Sequence, residues 1–345
     1  MIQEIIKKLI SSYNLTLSEA SSVMDFIIEG EATPAQIACF LTALRMKGET
    51  IDEITGFASS LRKHALRVEI NTPHLVDTCG TGGDGSGTFN ISTAAGLVAA
   101  GAGVKVVKHG NRSVSSRCGS ADVLEVLGID INLGPEEVKK CVEEIGFGFM
   151  FAPLFHKAMK HVAPVRKELG IRTVFNILGP LASPAGATAQ VLGVFSPELT
   201  EVMAQVLKNL GVRQALVVHG EDGLDEISTV APTRVSRLSP DGRIETFILD
   251  CGALNLPRAA SRDLLGADAA TNAQILRSIF SGQLKGPKRD VVVLNAAAAI
   301  VVSGEATDLK EGLKMAGEAI DSGVAASKLE KLVKFSTGAN QKKNA

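Results

Sequence analysis

The chain has no tryptophan, a single tyrosine and only 4% aromatic residues, so it contributes little fluorescence of its own. It also lacks an excess of either charge, with 36 Lys and Arg against 37 Asp and Glu. That balance argues against nucleic acid or an anionic membrane as a partner, and any anion must be captured locally. Long hydrophobic runs are missing too. The longest, Val291 to Gly304, is bounded by Asp290 and Glu305 and falls short of the ~20 residues that a membrane span needs. The N-terminal stretch MIQEIIKKLISSY carries charges within its apolar pattern, unlike a signal peptide, so the expected location is the cytoplasm. Five scattered cysteines form no C-x-x-C pair, and six histidines form no H-x-x-x-H pair. Reduced structural thiols are expected, and a zinc site is not.

What is present describes a globular protein: 345 residues, 45% apolar and 21% charged, long enough for about two domains. Thr16-x-x-Glu19, Thr33-Pro34-x-Gln36 and Thr50-x-x-Glu53 place a hydroxyl three residues before a side chain able to reach back, the capping-box arrangement. Apolar residues follow each at helical spacing, which predicts a helical bundle over residues 1 to 72. On its first helix, Ile2, Ile5, Ile6 and Leu9 suit either a dimer contact or an internal core.

From His74 onward, β-rich runs alternate with helical ones, and residues 73 to 345 read as an α/β domain with a mostly parallel sheet. The expected strands are Leu75 to Cys79, Val104 to Val107, Phe147 to Phe151, Val191 to Phe195 and Ala215 to Val218. Thr233 to Leu238 and Ile244 to Leu249 flank Ser239-Pro240-Asp241-Gly242, which predicts an edge hairpin. Helices return over the last hundred residues, with Gly282, Gly286, Gly304 and Gly323 at their ends. The tail from Thr337 is expected to be disordered.

The informative loop is DTCGTGGDGSGTFNISTA, residues 77 to 94, between a strand and a helix expected to start near Ser92. Its five glycines bring backbone N–H groups together, as anion sites require. Gly80-x-Gly82-x-x-Gly85 matches the dinucleotide fingerprint, yet no helix opens within it and the next strand ends in Lys108-His109 rather than an acid. No G-K-[ST] occurs, which excludes a Walker loop. The second strand leads into KHGNRSVSSRCGSADVLEVLG, residues 108 to 128, where Lys108 and Arg112 supply charge and several hydroxyls short contacts for phosphate. Ser120 is expected to cap the helix beginning at Ala121. A third segment, Gly220 to Glu226, gathers Glu221, Asp222, Asp225 and Glu226, which suits Mg²⁺ bridging phosphates or, alternatively, a solvated acidic turn. Two phosphate loops on one rim indicate a ligand phosphorylated at both ends.

GTGGD at 80 to 84, FNIST at 89 to 93, KHGNR with GSAD between 108 and 122, HVAPVRKELGIRTVFNILGPL at 161 to 181 and HGEDGLDEIS at 219 to 228 together resemble the anthranilate phosphoribosyltransferases. The resemblance implies the class III phosphoribosyltransferase fold, shared with nucleoside phosphorylases, with residues 153 to 185 packing onto the helical domain near a hinge. It implies transfer of a phosphoribosyl group from 5-phosphoribosyl 1-diphosphate to anthranilate, the second step from chorismate to tryptophan. The donor would meet Gly80, Gly83, Asp84, Thr88, Asn90, Ile91, Ser92, Thr93, Lys108, His109, Gly110, Asn111, Arg112, Ser113, Val114, Ser115, Ser116 and Ser120. Anthranilate would meet Gly80, Asn111 and Arg166; Lys108, His109, Asn111 and Arg166 form the implied catalytic set. Ser92, Asp225 and Glu226 would hold Mg²⁺, with two ions per subunit, and the helical domain would form a homodimer. Lys157 and Ser183 depart from the family pattern, at positions outside these contacts. A pyrimidine nucleoside phosphorylase is the alternative enzyme, and a non-enzymatic regulator keeping the fold is a third reading, against which Lys108, Asp225 and Arg166 all stand.

Overall fold

The computed structural model describes residues 1–113 and 117–343. Four helices open the chain: α1 (Ile2–Ile10), α2 (Leu17–Ile28), α3 (Pro34–Lys47) and α4 (Ile51–His64). All three expected capping boxes form; in the first, Thr16 Oγ1 accepts the Glu19 N–H at 3.2 Å and Glu19 Oε2 accepts the Thr16 N–H at 2.8 Å. Glu53 does more than close its box. Its buried carboxylate also accepts the Leu15 N–H at 2.9 Å and pairs with Lys47 at 2.8 Å, so one side chain ties the α1–α2 turn to the start of α4. Ile2, Ile5, Ile6 and Leu9 turn inward, which decides their role as internal core. Around Phe40 and Phe57, packed edge to face at 5.9 Å, this core also takes in Val162, Val165, Phe175, Ile177 and Leu181 from the segment after the third strand. It continues beneath the sheet through helix Leu199–Asn209, against which α4 packs.

The rest is α/β. Strands β1 (Leu75–Asp77), β2 (Lys105–Gly110), β3 (Phe147–Phe151), β4 (Ala189–Gly193), β5 (Gln214–Gly220), β6 (Thr233–Leu238) and β7 (Ile244–Leu249) form one sheet in the order β3-β2-β1-β4-β5-β6-β7. The first five are parallel, and β6 and β7 add the expected antiparallel hairpin at the edge. Chain order reverses between β1 and β4, the kind of crevice where open α/β sheets bind ligands. Helix α5 (Ile91–Gly101) follows β1 and helix α6 (Ser120–Val126) follows β2. The apolar run at 291 to 304 is the buried helix Pro287–Ser303, packed on α5 and closed by Gly304 with φ +84°.

Three expectations are corrected. Strand β2 runs on to Gly110, past the expected end at Val107, so Lys108 and His109 lie within it, buried between neighbouring strands. Ser120 is the first residue of α6; Gly119 precedes it, and Asp122 reaches back to the Gly119 N–H at 2.8 Å and the Ser113 N–H at 3.0 Å. Ser120 instead donates to the Asn111 carbonyl at 3.3 Å. The tail beyond Thr337 is not disordered at its start: the last helix, Val324–Lys343, continues through it because Leu329 and Leu332 anchor its first turns in the core.

Glu53→Ala removes the partner of a buried ammonium and of two backbone donors, a class of change that costs about 3–5 kcal/mol. Urea unfolding followed by far-ultraviolet circular dichroism is expected to show a loss of that order, with the spectrum in native buffer unchanged.

Candidate functional site

The glycine loop leaves the end of β1 and crosses the β1–β4 crevice. Gly82, Gly83, Gly85 and Gly87 have φ of +64°, +76°, +73° and +68°, a region that other residues enter only with strain. Each anchor of the loop comes from a different element. The Thr81 N–H donates to Gly193 O at the end of β4 (2.8 Å), the Gly82 N–H to Asp225 Oδ2 (2.7 Å), and Arg172 donates to Gly83 O. At Gly193 the acidic turn comes so close that an added methyl would collide with the Asp225 carbonyl oxygen. No other residue fits there.

Helix α5 begins at this crevice with its N-terminus, and its N-cap residue Asn90 supplies no side-chain cap. Its N–H groups and dipole therefore add to the anion-attracting character of the loop. Lys108 reaches in from β2 and donates to Thr78 O at 2.9 Å and Ser92 Oγ at 3.0 Å, joining the end of β1 to the start of α5. Glu226 accepts the Ser92 N–H at 3.0 Å. Ser92, Asp225 and Glu226 thus meet the glycine loop at one point, and Thr78, Gly80, Ser92, Gly193 and Glu226 line a small cleft there.

Burial raises the carboxyl groups of both Asp225 and Glu226 above their ordinary range, and negative neighbours add to it, Asp84 for the former and Asp225 for the latter. Lys108 opposes the rise in both. A recessed acidic pair beside a serine hydroxyl, with more negative charge than one ammonium can balance, fits a hard divalent cation. Among the described residues no three His, Cys, Asp or Glu side chains close on one point, so substrate oxygens and water would complete the shell of a bound Mg²⁺.

The remaining predicted residues divide. Thr88 bridges to Leu265, and Asn90 binds Cys118 O (3.2 Å) and Asn272 (3.1 Å), so both fasten the far end of the loop. Arg112 pairs with Asp122 and Glu125 on α6, turned along that helix. Val114, Ser115 and Ser116 lie outside the described residues. His109 lies against His156, ring centroids 4.9 Å apart, and its Nδ1 faces Gly179 O at 3.3 Å, so that nitrogen carries the proton. Burial, and then the His156 ring, push its pKa down to about 3, which keeps the imidazole neutral. Arg166 sits on helix Ala163–Leu169 with its guanidinium 5.4 Å from the Phe175 ring centroid. Among the described residues no carboxylate pairs with it, and no hydrogen bond joins it to Gly80 or Asn111.

Several supporting residues carry no signal of their own in the sequence. Gln190 donates to Pro180 O at 2.8 Å, and Asn295 clamps both backbone groups of Ile227 at 2.9 Å, holding the acidic turn from the buried helix. Asp77 is wholly buried beneath the loop, with Oδ1 accepting the Cys79 N–H at 2.9 Å. The glycine ending a strand at the chain reversal was the one readable clue, to Gly193.

Residues 72–326 match the model of a glycosyl transferase family α/β domain, and residues 3–65 that family's helical bundle domain. An anthranilate phosphoribosyltransferase of Acetivibrio thermocellus is 55% identical over 97% of this chain and 96% of its own, and one of Alkaliphilus metalliredigens 56% identical over 97% and 98%. The chain belongs to the anthranilate phosphoribosyltransferase family. Within it, the crystal structure from Thermus thermophilus superposes with a TM-score of 0.91 at 46% identity, covering 96% of this chain and 98% of that one. The Saccharomyces cerevisiae family member, in complex with PRPP and Mg, gives 0.89 at 31% identity, with 98% of each chain covered. The expected fold, a helical bundle joined to a mostly parallel α/β domain, is that of the family.

Burial drives the Asp77 carboxyl up to about 6, against the pull of Lys108. The fold thus favours its protonated form, and this stability is complete below the unfolded pKa and lost as pH rises through about 6. Asp77→Asn cannot ionise, so the stability difference between variant and wild type should move in the variant's favour by up to about 3 kcal/mol from about pH 4 to pH 8. Parallel melting curves across that range would show that the carboxyl carries no such burden.

Proposed function

We propose that the chain transfers the phosphoribosyl group of 5-phosphoribosyl 1-diphosphate to the amine of anthranilate, giving N-(5-phosphoribosyl)anthranilate and diphosphate. This is the second step from chorismate to tryptophan. The observation that carries the reading is the meeting, at the β1–β4 reversal, of the glycine loop, the α5 N-terminus, Lys108 and the Asp225–Glu226 pair. The C1–O bond to diphosphate breaks, a C1–N bond forms, and the amine proton leaves to solvent. Diphosphate is already a good leaving group, so the protein's task is to orient the ribose and neutralise departing charge.

Gly80, Gly83, Asp84, Thr88 and the run Asn90 to Thr93 hold the donor, and the run Lys108 to Ser116 with Ser120 completes its contacts. Mg²⁺, two ions per subunit, is held by Ser92, Asp225 and Glu226 and supplies charge neutralisation at the diphosphate oxygens. Arg166 grips the anthranilate carboxylate, the role suited to a half-buried guanidinium without a protein carboxylate. His109 serves as a neutral wall; with a pKa near 3 it binds a proton too weakly to act as base, and an arylamine nucleophile needs none. The S. cerevisiae structure with 4-fluoroanthranilate supports an aromatic acid as acceptor rather than the phosphate of a nucleoside phosphorylase.

The domain limits follow the same reading: a helical unit of residues 1–72 with 153–185 against it, and an α/β unit of 73–345. Among the described residues no helix is long and apolar enough to cross a membrane, and a cytoplasmic enzyme is consistent with that. The homodimer forms through the helical unit. Exposed Ile10, Tyr13 and Met46 supply its apolar surface, and Lys47 bonding Asn14 at 3.0 Å brings their two segments together. Sedimentation at micromolar concentration should return twice the 36.1 kDa chain mass.

Anthranilate fluorescence should decay only when donor and Mg²⁺ are both present, on a background kept low by the absence of tryptophan. Arg166→Ala should raise the KM for anthranilate roughly 10- to 100-fold, as loss of a charge-assisted fork implies, and leave the donor KM nearly unchanged. An equal rise for both substrates would remove Arg166 from the acceptor site. Thymidine with phosphate should give no reaction.

A further inference from the structure

We infer that Arg172 is a positioning residue for the phosphoribosyl donor: by binding Gly83 O it sets the direction of the Asp84 N–H. The inference rests on the transfer reaction proposed above. Thr81 and Gly82 are fixed by groups of the α/β sheet and its acidic turn, Gly193 O and Asp225. Gly83 is fixed from elsewhere, by a side chain two residues beyond Gly170, whose φ of +62° ends the helix carrying Arg166.

The Gly83–Asp84 peptide is the part of the loop most in need of such a constraint. Gly83 has φ +76° and nothing but Arg172 within 4 Å of where a Cβ would lie, so neither sterics nor packing decides which way its carbonyl faces. A trans peptide holds C=O and the following N–H in opposite directions. Fixing Gly83 O toward Arg172 therefore turns the Asp84 N–H away from it. Asp84 itself faces the acidic turn, where its Oδ2 lies 3.5 Å from the Asp225 N–H.

Arg172 is placed for this task and no other visible one. Its guanidinium lies over the Phe195 ring, 4.3 Å from the centroid, at the mouth of β4. Stacking fixes the plane of the group, which a lysine cannot reproduce. Among the described residues no carboxylate pairs with it, and it lines a cleft with Arg45, Glu49 and Glu198 between α3 and the sheet. The segment that presents the acceptor's arginine thus also holds the donor's loop.

The test is a comparison of wild type, R172A and R172K by calorimetric titration with the donor and Mg²⁺, alongside steady-state kinetics for both substrates. R172A should weaken donor binding and raise the donor KM about tenfold, the worth of one charge-assisted hydrogen bond, with the anthranilate KM and the melting temperature little changed. R172K should recover part of the loss, since it restores a donor without the stacked plane. Donor affinity in R172A equal to wild type overturns the inference, and so does a parallel loss of both KM values and thermal stability in both variants. A wild-type chain that binds the donor but transfers nothing to anthranilate would overturn the reaction, while the calorimetric comparison would still decide the role of Arg172.

Discussion

Negative charge at the chain reversal is the constraint around which this molecule is arranged. Asp84, Asp225 and Glu226 crowd one rim, and Lys108 is the cation set against them. Lys108 is itself fixed by Thr78 O and Ser92 Oγ, so the ammonium balances the acids without neutralising any one of them through a close ion pair. The protein keeps this imbalance by enclosing it: Gly193 lets the acidic turn approach to backbone contact, and Asn295 holds that turn from a helix whose other faces are buried. A diphosphate alone would be repelled by such a rim, and a bound Mg²⁺ would convert the same charge into attraction.

Local signals were legible in the sequence in proportion to how local their physics is. The three capping boxes are reciprocal bonds between residues three apart, and each formed as read. The hairpin at Ser239–Gly242 follows from turn chemistry within four residues, and the Ser239 N–H duly meets Arg243 O at 2.9 Å. Alternation of β-rich and helical runs pointed to a parallel sheet, yet the position of the reversal depends on which strands neighbour one another, which no window of residues contains.

Site residues were legible as a set and less so as individuals. The family motifs point to the glycine loop, Ser92, Lys108, Asp225 and Glu226, and the fold brings these together. That Arg112 is paired cannot be read locally, because its partners Asp122 and Glu125 are ten and thirteen positions away, on the next helix. Lys108 and His109 read as the last residues of the second strand or just past it, because polar residues rarely occupy the interior of a parallel sheet, yet here both are buried within it. Asp77 and Arg172 carry no local pattern at all. Their importance comes from contacts across the fold, such as the 89 residues separating Arg172 from Gly83.

The left-handed glycines also determine what the donor side can distinguish. Under the proposed roles, a surface made largely of backbone peptide groups reads phosphate oxygens and little else of the sugar diphosphate it holds. Under the same proposed roles, discrimination among nucleophiles falls to the helix and segment that bear Arg166, His156 and Phe175. Such a division leaves that second wall open to change over evolution while the first stays constant, so that new acceptors could be adopted without rebuilding the half of the molecule that activates the ribose.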